Sequence, residues 1–197
     1  MQFGGVSATH LDWTMVPYIR RSFYKHYKDG IKYFENESID ANDYQIKVEY
    51  TSIDDAFYRK EANPQVYEYA MDMTKRELNQ AVEGFYHNLN SLQSRSGNQL
   101  PFSSINYGTC TLPEGRMVTK ALLNASIEGT GSLHKTSIFP CGIFQMMKGV
   151  NREPGDPNYD LYQLALKSTA QRLYPNYANV DWSNNAGYDR NDPCTYF

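Results

Sequence analysis

An α/β fold of parallel strands joined by helical crossovers is the class the sequence predicts, and three observations predict it. Short apolar stretches bounded by Gly or Pro recur at 99–108, 137–147 and 177–182. The segments between them have helical spacing and are long enough for the crossover that parallel neighbours need. Strand, helix, strand, helix, strand then reads as consecutive right-handed βαβ units. Three parallel strands with helices on one side leave two open edges and an uncovered face, so the sheet is expected to be an arc of a larger barrel or sheet. The chain reads as a single incomplete domain over 1–197, mainly helical over 1–93 and alternating over 94–197.

The elements follow in chain order. After Gly4-Gly5, Ser7 and Thr9 offer N-cap oxygens to a helical segment beginning at His10, in which Pro17 kinks the helix or opens its second part. Gly30 is expected to interrupt it. Residues 36–55 are acidic and irregular, as a surface excursion is. From Pro64, the residues Val66, Ala70, Met73, Glu77, Ala81, Phe85, Leu89 and Leu92 step by three or four, predicting a long helix that ends before Ser96-Gly97. The strand at 99–108 carries Ser103, Ser104 and Asn106, small polar groups that need partners if covered. Thr111 and Pro113 open a helix with an apolar face of Met117, Val118, Ala121, Leu122 and Ala125, ending at Gly129. The second strand region is broken at Pro140. Asp156-Pro157 opens the next helix, Pro175 stops it, and 177–182 form the third strand.

Composition narrows the function classes. The 197 residues carry 19 Lys and Arg against 22 Asp and Glu, a net charge of -3, which lacks the basic excess of a general nucleic-acid binder. No window supplies the run of about 20 apolar residues a transmembrane helix needs, and the first ten residues have no signal-peptide pattern, so the expected location is cytoplasmic. The 17 tyrosines bury rings while keeping hydroxyls for partners.

Most candidate motifs have plain structural readings. Gly129-Thr130-Gly131 followed by Lys135-Thr136 has P-loop letters, but it runs from helix into strand, so a glycine helix cap explains it better. His10, His26, His87 and His134 share no metal-ligand spacing. Nothing around Cys110, Cys141 or Cys194 marks a nucleophile: Cys141 reads as a buried thiol, the other two as exposed and inert. Tyr174, Tyr177, Tyr188 and Tyr196 read as packing groups. Arg20, Arg21, Lys25 and Lys28 form a basic stretch, either a solvated helix face or an anion site. Ser103, Ser104 and Asn106 stand evenly between structural partners and ligand contacts, and alternation forbids both serines from lining one surface.

The runs SRSGNQLPFSSINYGT (94–109), PEGRMVTKALL (113–123), HKTSIFPCGIFQMMKGVN (134–151) and PGDPNYDLYQLALKSTAQRLYPNYANVDW (154–182) resemble the central part of anaerobic, class III ribonucleoside-triphosphate reductases, as does QFGGVSATHLDWTMVPYIR at 2–20. The resemblance implies a glycyl-radical enzyme with a ten-stranded α/β barrel, of which this chain carries about three strands. It implies reduction of ribonucleoside triphosphates to deoxyribonucleotides for DNA synthesis. It further implies a radical-activating iron-sulfur protein that uses S-adenosylmethionine, a structural zinc near the C-terminus, homodimers, and nucleotide effectors bound near the subunit interface.

The family's thiyl cysteine belongs to a Met-Gly-Cys-Arg motif expected a few residues beyond Phe197, and its second active-site cysteine is expected upstream of Met1. No catalytic role therefore transfers to Cys110, Cys141 or Cys194, and the chain is expected to be inactive alone. Under this resemblance Ser103, Ser104 and Asn106 become candidate substrate contacts, and Arg20, Arg21 and Lys25 candidate contacts to effector phosphates. The alternative is a noncatalytic module for nucleotide binding or dimerisation.

Overall fold

The computed structural model describes residues 5–35, 51–55, 58, 64–91 and 100–185. Its elements are β1 (Gly5–Ala8), α1 (Leu11–Thr14), α2 (Val16–Phe34), α3 (Pro64–Ser91), β2 (Phe102–Tyr107), α4 (Pro113–Glu128), β3 (Cys141–Met146), α5 (Tyr159–Arg172), β4 (Asn176–Asn179) and α6 (Val180–Asn185). The four strands form one parallel sheet in the order β1-β2-β3-β4. Each new strand is added on the same side of the last, so right-handed crossovers place all their helices on one face.

The sheet thus has four strands rather than about three, because β1 occupies the residues expected to cap the first helix. Ser7 pairs with Ser104 in the sheet, and His10, at φ 52°, stands at the N-cap of α1 with no side-chain cap bond. Pro17 sits in the first turn of α2 and opens a second helical part. Gly30 does not interrupt α2. A Cβ there would lie 3.0 Å from Val66 Cγ1 and 3.2 Å from Tyr69 Cδ1, so the glycine lets α3 approach α2 closely.

The buried face of α3 departs from the expected one. Val66 and Ala70 are buried, but the face continues through Thr74, Leu78, Val82 and Tyr86, and Glu77 and Ala81 face outward. A strict four-residue ridge wins over a mixed three-and-four step because α3 packs along neighbouring helices. Residues 92–99, where its end was expected, lie outside the described residues. Val180 begins α6, so β4 is shorter than the 177–182 strand expected. Helix α5 ends at Leu173 in the left-handed region, two residues before Pro175.

Two apolar clusters hold the layers together. Ile105 and Tyr107 of β2 and Phe144 of β3 pack with Leu78, Val82 and Tyr86 of α3, Val118 and Leu122 of α4, and Leu161 of α5. The second cluster joins α2 to α3 through Phe23, Tyr27, Ile31, Val66 and Ala70, with Ile53 and Tyr58 inserted. Phe23 meets Tyr58 edge-on at 5.1 Å, which is where part of the tyrosine excess goes. Of the acidic excursion, 36–50 lie outside the described residues. At its end Ile53 is inserted into the core at 1% exposed, while Asp54 and Asp55 remain on the surface. Among the described residues, no helix is long and apolar enough to cross a membrane.

Candidate functional site

Alternation along the strands gives the sheet two unlike faces. Ile105, Tyr107 and Phe144 point into the helix-covered core, and Ser103 shares their side of β2. The other face carries Ser7 of β1, Ser104 and Asn106 of β2, and Cys141, Ile143 and Gln145 of β3. None of these belongs to either apolar cluster, Ile143 included. Ser104 Oγ donates to Ser7 Oγ at 3.0 Å. Asn106 and Gln145 are both fully buried, and among the described residues none of their four side-chain polar atoms has a hydrogen-bond partner.

Of the three polar residues singled out on β2, the structure brings Ser104 and Asn106 together and turns Ser103 away. Gln145 and Ser7 were missed. Gln145 carried the same signal as Asn106, a polar side chain inside an apolar strand.

The C-terminal strand ends, where open α/β sheets place their chemistry, are held by a buried polar network. Asp12 Oδ2 accepts from the backbone N–H of Gly108 and of Cys110, each at 2.9 Å, and Oδ1 accepts from Trp13 N at 3.1 Å. Burial pushes the Asp12 carboxyl above its usual value, against the downward pull of these donors. Asn158 Nδ2 donates to Gly108 O at 3.2 Å and Cys110 O at 2.8 Å, and Asn151 Nδ2 to Gly108 O and Gln145 O. Arg116 secures the same loops through Asn158 Oδ1, Pro157 O and both oxygens of Asp160. Loops after β2 and β3 are thereby fixed to each other and to α1.

Cys110 lies inside this network and is fully buried, contrary to the exposed thiol expected. Burial pushes its thiol up to about 12, which favours the neutral thiol near neutral pH. A Cβ on Gly115 would fall against Cys110 Sγ and within 2.6 Å of its Cβ, so the thiol fills the notch the glycine leaves. Cys141 is half-buried on the polar sheet face rather than fully buried. Cys194, Tyr188 and Tyr196 lie outside the described residues. Gly129, at φ 76°, caps α4 ahead of a tight turn closed by a Thr130–Lys135 bridge. Among the described residues, no group of three His, Cys, Asp or Glu could hold a metal ion.

The basic residues of α2 do not form one patch. Arg20 turns inward, its Nε donating to Glu114 Oε1 at 2.8 Å, and Glu114 is fully buried. The same oxygen accepts Ile53 N at 3.0 Å, so one carboxylate ties α2, α4 and the 51–55 segment together. Arg21 and Lys25 sit four residues apart on the exposed side, and Lys25 Nζ lies 3.2 Å from Glu77 Oε1.

Glu77 takes a 2.5 Å bond from Ser22 Oγ, and His26 Nε2 lies 2.8 Å from its Oε2. The Ser22 and His26 bonds hold its carboxyl down, from the ordinary 4.5 to about 2. A depressed carboxylate stabilises the fold above its unfolded pKa, and that contribution is lost as pH falls from 4.5 towards about 2. Glu77 is half-exposed, so the expected size is under about 1 kcal/mol. Urea midpoints measured across this window should lose part of their pH slope in Glu77→Gln; an unchanged slope would refute the assignment.

A family model described as anaerobic ribonucleoside-triphosphate reductase matches residues 1–196. The chain belongs to that family. Curated relatives bearing this name include those of Haemophilus influenzae, 30% identical over 179 residues, and Enterobacteria phage T4, 32% identical over 174 residues. The Escherichia coli relative is 29% identical over 179 residues. These matches take in 91%, 88% and 91% of this chain but only 21%, 24% and 21% of the relatives, so the chain spans about a fifth to a quarter of their length.

Proposed function

We propose that this chain supplies part of the substrate-holding wall of an anaerobic ribonucleoside-triphosphate reductase, with the polar sheet face turned toward the ribonucleotide. One observation carries the reading: in a chain of this family, a face free of both apolar clusters presents Asn106 buried without a partner, beside the Ser7–Ser104 pair. A buried amide without partners is costly unless something polar meets it. The unreversed strand order supports membership in a barrel, since a singly wound sheet keeps its helices outside and its other face for the interior.

In this reading Ser104 and Asn106 orient the substrate, while Ser103 serves packing on the helix side. The buried network of Asp12, Asn151 and Asn158 holds the strand ends rigid so that the polar face keeps its geometry. The glycyl radical that the family's chemistry implies would generate a thiyl radical on a cysteine, and that thiyl would take the hydrogen from the ribose. Effector phosphates would meet Arg21 and Lys25 on the exposed side of α2. Arg20 would act only indirectly, through Glu114.

The test uses a full-length reductase polypeptide carrying this sequence, activated anaerobically and assayed for deoxyribonucleotide formation. Asn106→Leu is expected to raise KM about tenfold or more, the loss of one to two hydrogen bonds. Arg21→Ala with Lys25→Ala is expected to weaken the effector response and leave the basal KM alone. Absence of deoxynucleotide product from the unmutated protein would defeat the functional reading. An unaltered effector response in the double variant would defeat the role of α2.

A further inference from the structure

Asn106 and Gln145 form the least explained feature of the molecule. Asn106 pairs in register with Ile143, and Gln145 lies two residues further along β3 on the same face. Strand spacing and rise put the two Cα atoms about 8 Å apart on the diagonal. Each amide could reach toward the other, yet Nδ2 and Oδ1 of Asn106 and Nε2 and Oε1 of Gln145 are all without partners among the described residues. Both residues are fully buried. A pair of adjacent orphan amides on a sheet face is a strong departure from the rule that buried polar groups are satisfied.

The surroundings say what kind of group would satisfy them. Ser104 and Ile143 adjoin them along β2 and β3, Ala178 of β4 lies across from Gln145 on this face, and none carries a formal charge. A triphosphate seated here would find no cation. Two primary amides offer both donors and acceptors, and Ile143, across from Asn106 and two residues before Gln145, offers an apolar surface beside them. That combination suits a neutral polyhydroxyl group with one apolar side, such as a ribose ring.

We infer that Gln145, with Asn106, reads the ribose hydroxyls of the nucleotide, making Gln145 a substrate-positioning residue on β3 while the phosphates are held elsewhere. This rests on the reading of the sheet face as the substrate wall and adds to it the residue and the part of the substrate concerned. Gln145 makes no side-chain bond that the fold depends on. Its backbone carbonyl, which accepts from Asn151 Nδ2 at 2.8 Å, is retained in any variant.

The test compares the full-length reductase with its Gln145→Met variant, which keeps volume and removes the amide. KM for a ribonucleoside triphosphate and the inhibition constant of its 2′,3′-dideoxy analogue are measured at a fixed saturating effector, alongside the melting temperature. The expected result is a KM raised about 10- to 100-fold, an unchanged inhibition constant for the analogue, and a melting temperature equal to or above that of the unmutated protein. An unchanged KM would overturn the inference, as would equal rises in KM and inhibition constant. A lowered melting temperature would also overturn it, because the amide would then be serving the fold. If the unmutated enzyme makes no deoxynucleotide, the substrate-wall reading itself fails. Turnover by the unmutated enzyme with an unaffected Gln145→Met variant defeats only the role of Gln145.

Discussion

Replacing Asp12 by Ala is expected to destabilise the protein by about 3–5 kcal/mol, because it strips the buried N–H groups of Gly108 and Cys110 of their acceptor at once. Neither group can turn to solvent, since the Asn151 and Asn158 amides hold Gly108 O from the other side. Asp12→Asn should cost less, about 1–2 kcal/mol. Its carbonyl oxygen can still accept both of these bonds, although its NH2 then faces the Trp13 N–H that Oδ1 now accepts. Chemical denaturation of the two variants decides the matter: a loss below about 1 kcal/mol in Asp12→Ala would mean that the loop after β2 is held by other means.

Glu114→Ala is the second large effect expected. It removes the shared acceptor of the Arg20 guanidinium, whose side chain is 12% exposed, and of the Ile53 N–H. Removing one partner of a buried ion pair typically costs about 3–5 kcal/mol, much of it the burden of the remaining charge. The double variant Arg20→Met with Glu114→Met should therefore recover a large part of that loss, by removing both charges and keeping apolar volume. Unfolding of Arg20→Met, Glu114→Met and the double completes the cycle. Additive losses would show that the two side chains do not depend on each other. The same result bears on α2, since a weakened effector response in Arg20→Ala would report a disturbed helix rather than a lost phosphate contact.

The parts of the fold legible in the sequence were those marked by local chemistry. Pro113 and Gly129 bracket α4 because a fixed φ opens a helix and a left-handed glycine closes one. Pro140 sits immediately before β3 for the same kind of reason. Where local signals were ambiguous, tertiary packing decided. β1 is four residues long with a single large apolar side chain, Val6, and its Ser7 looks as much like a cap as a strand residue. On α3 a mixed three-and-four spacing fitted a face one residue away from the one that packs.

The candidate site divides in the same way. Alternation alone separates Ser103 from Ser104 and Asn106, and the register confirms that separation. Gln145 was equally visible inside an apolar strand but has no small polar neighbours to draw attention to it. Asp12 and Glu114 could not be recognised at all. Apart from the Trp13 N–H beside Asp12, their partners are backbone groups and an arginine more than 50 positions away in the chain, and no spacing rule connects such groups.

The strand connections are very unequal in length. β2 reaches β3, and β3 reaches β4, across one helix each, whereas β1 finds β2 only after the chain has traversed α2 and α3. Closing that long loop costs more chain entropy than either of the others. Asp12 and Trp13, immediately after β1, supply their bonds to Gly108, Cys110 and Thr109 at that junction. The late-meeting pair of strands is thus fastened by side chains where the main-chain ladder is only four residues long, and the first strand holds its place in the sheet as much by that clasp as by its own hydrogen bonds.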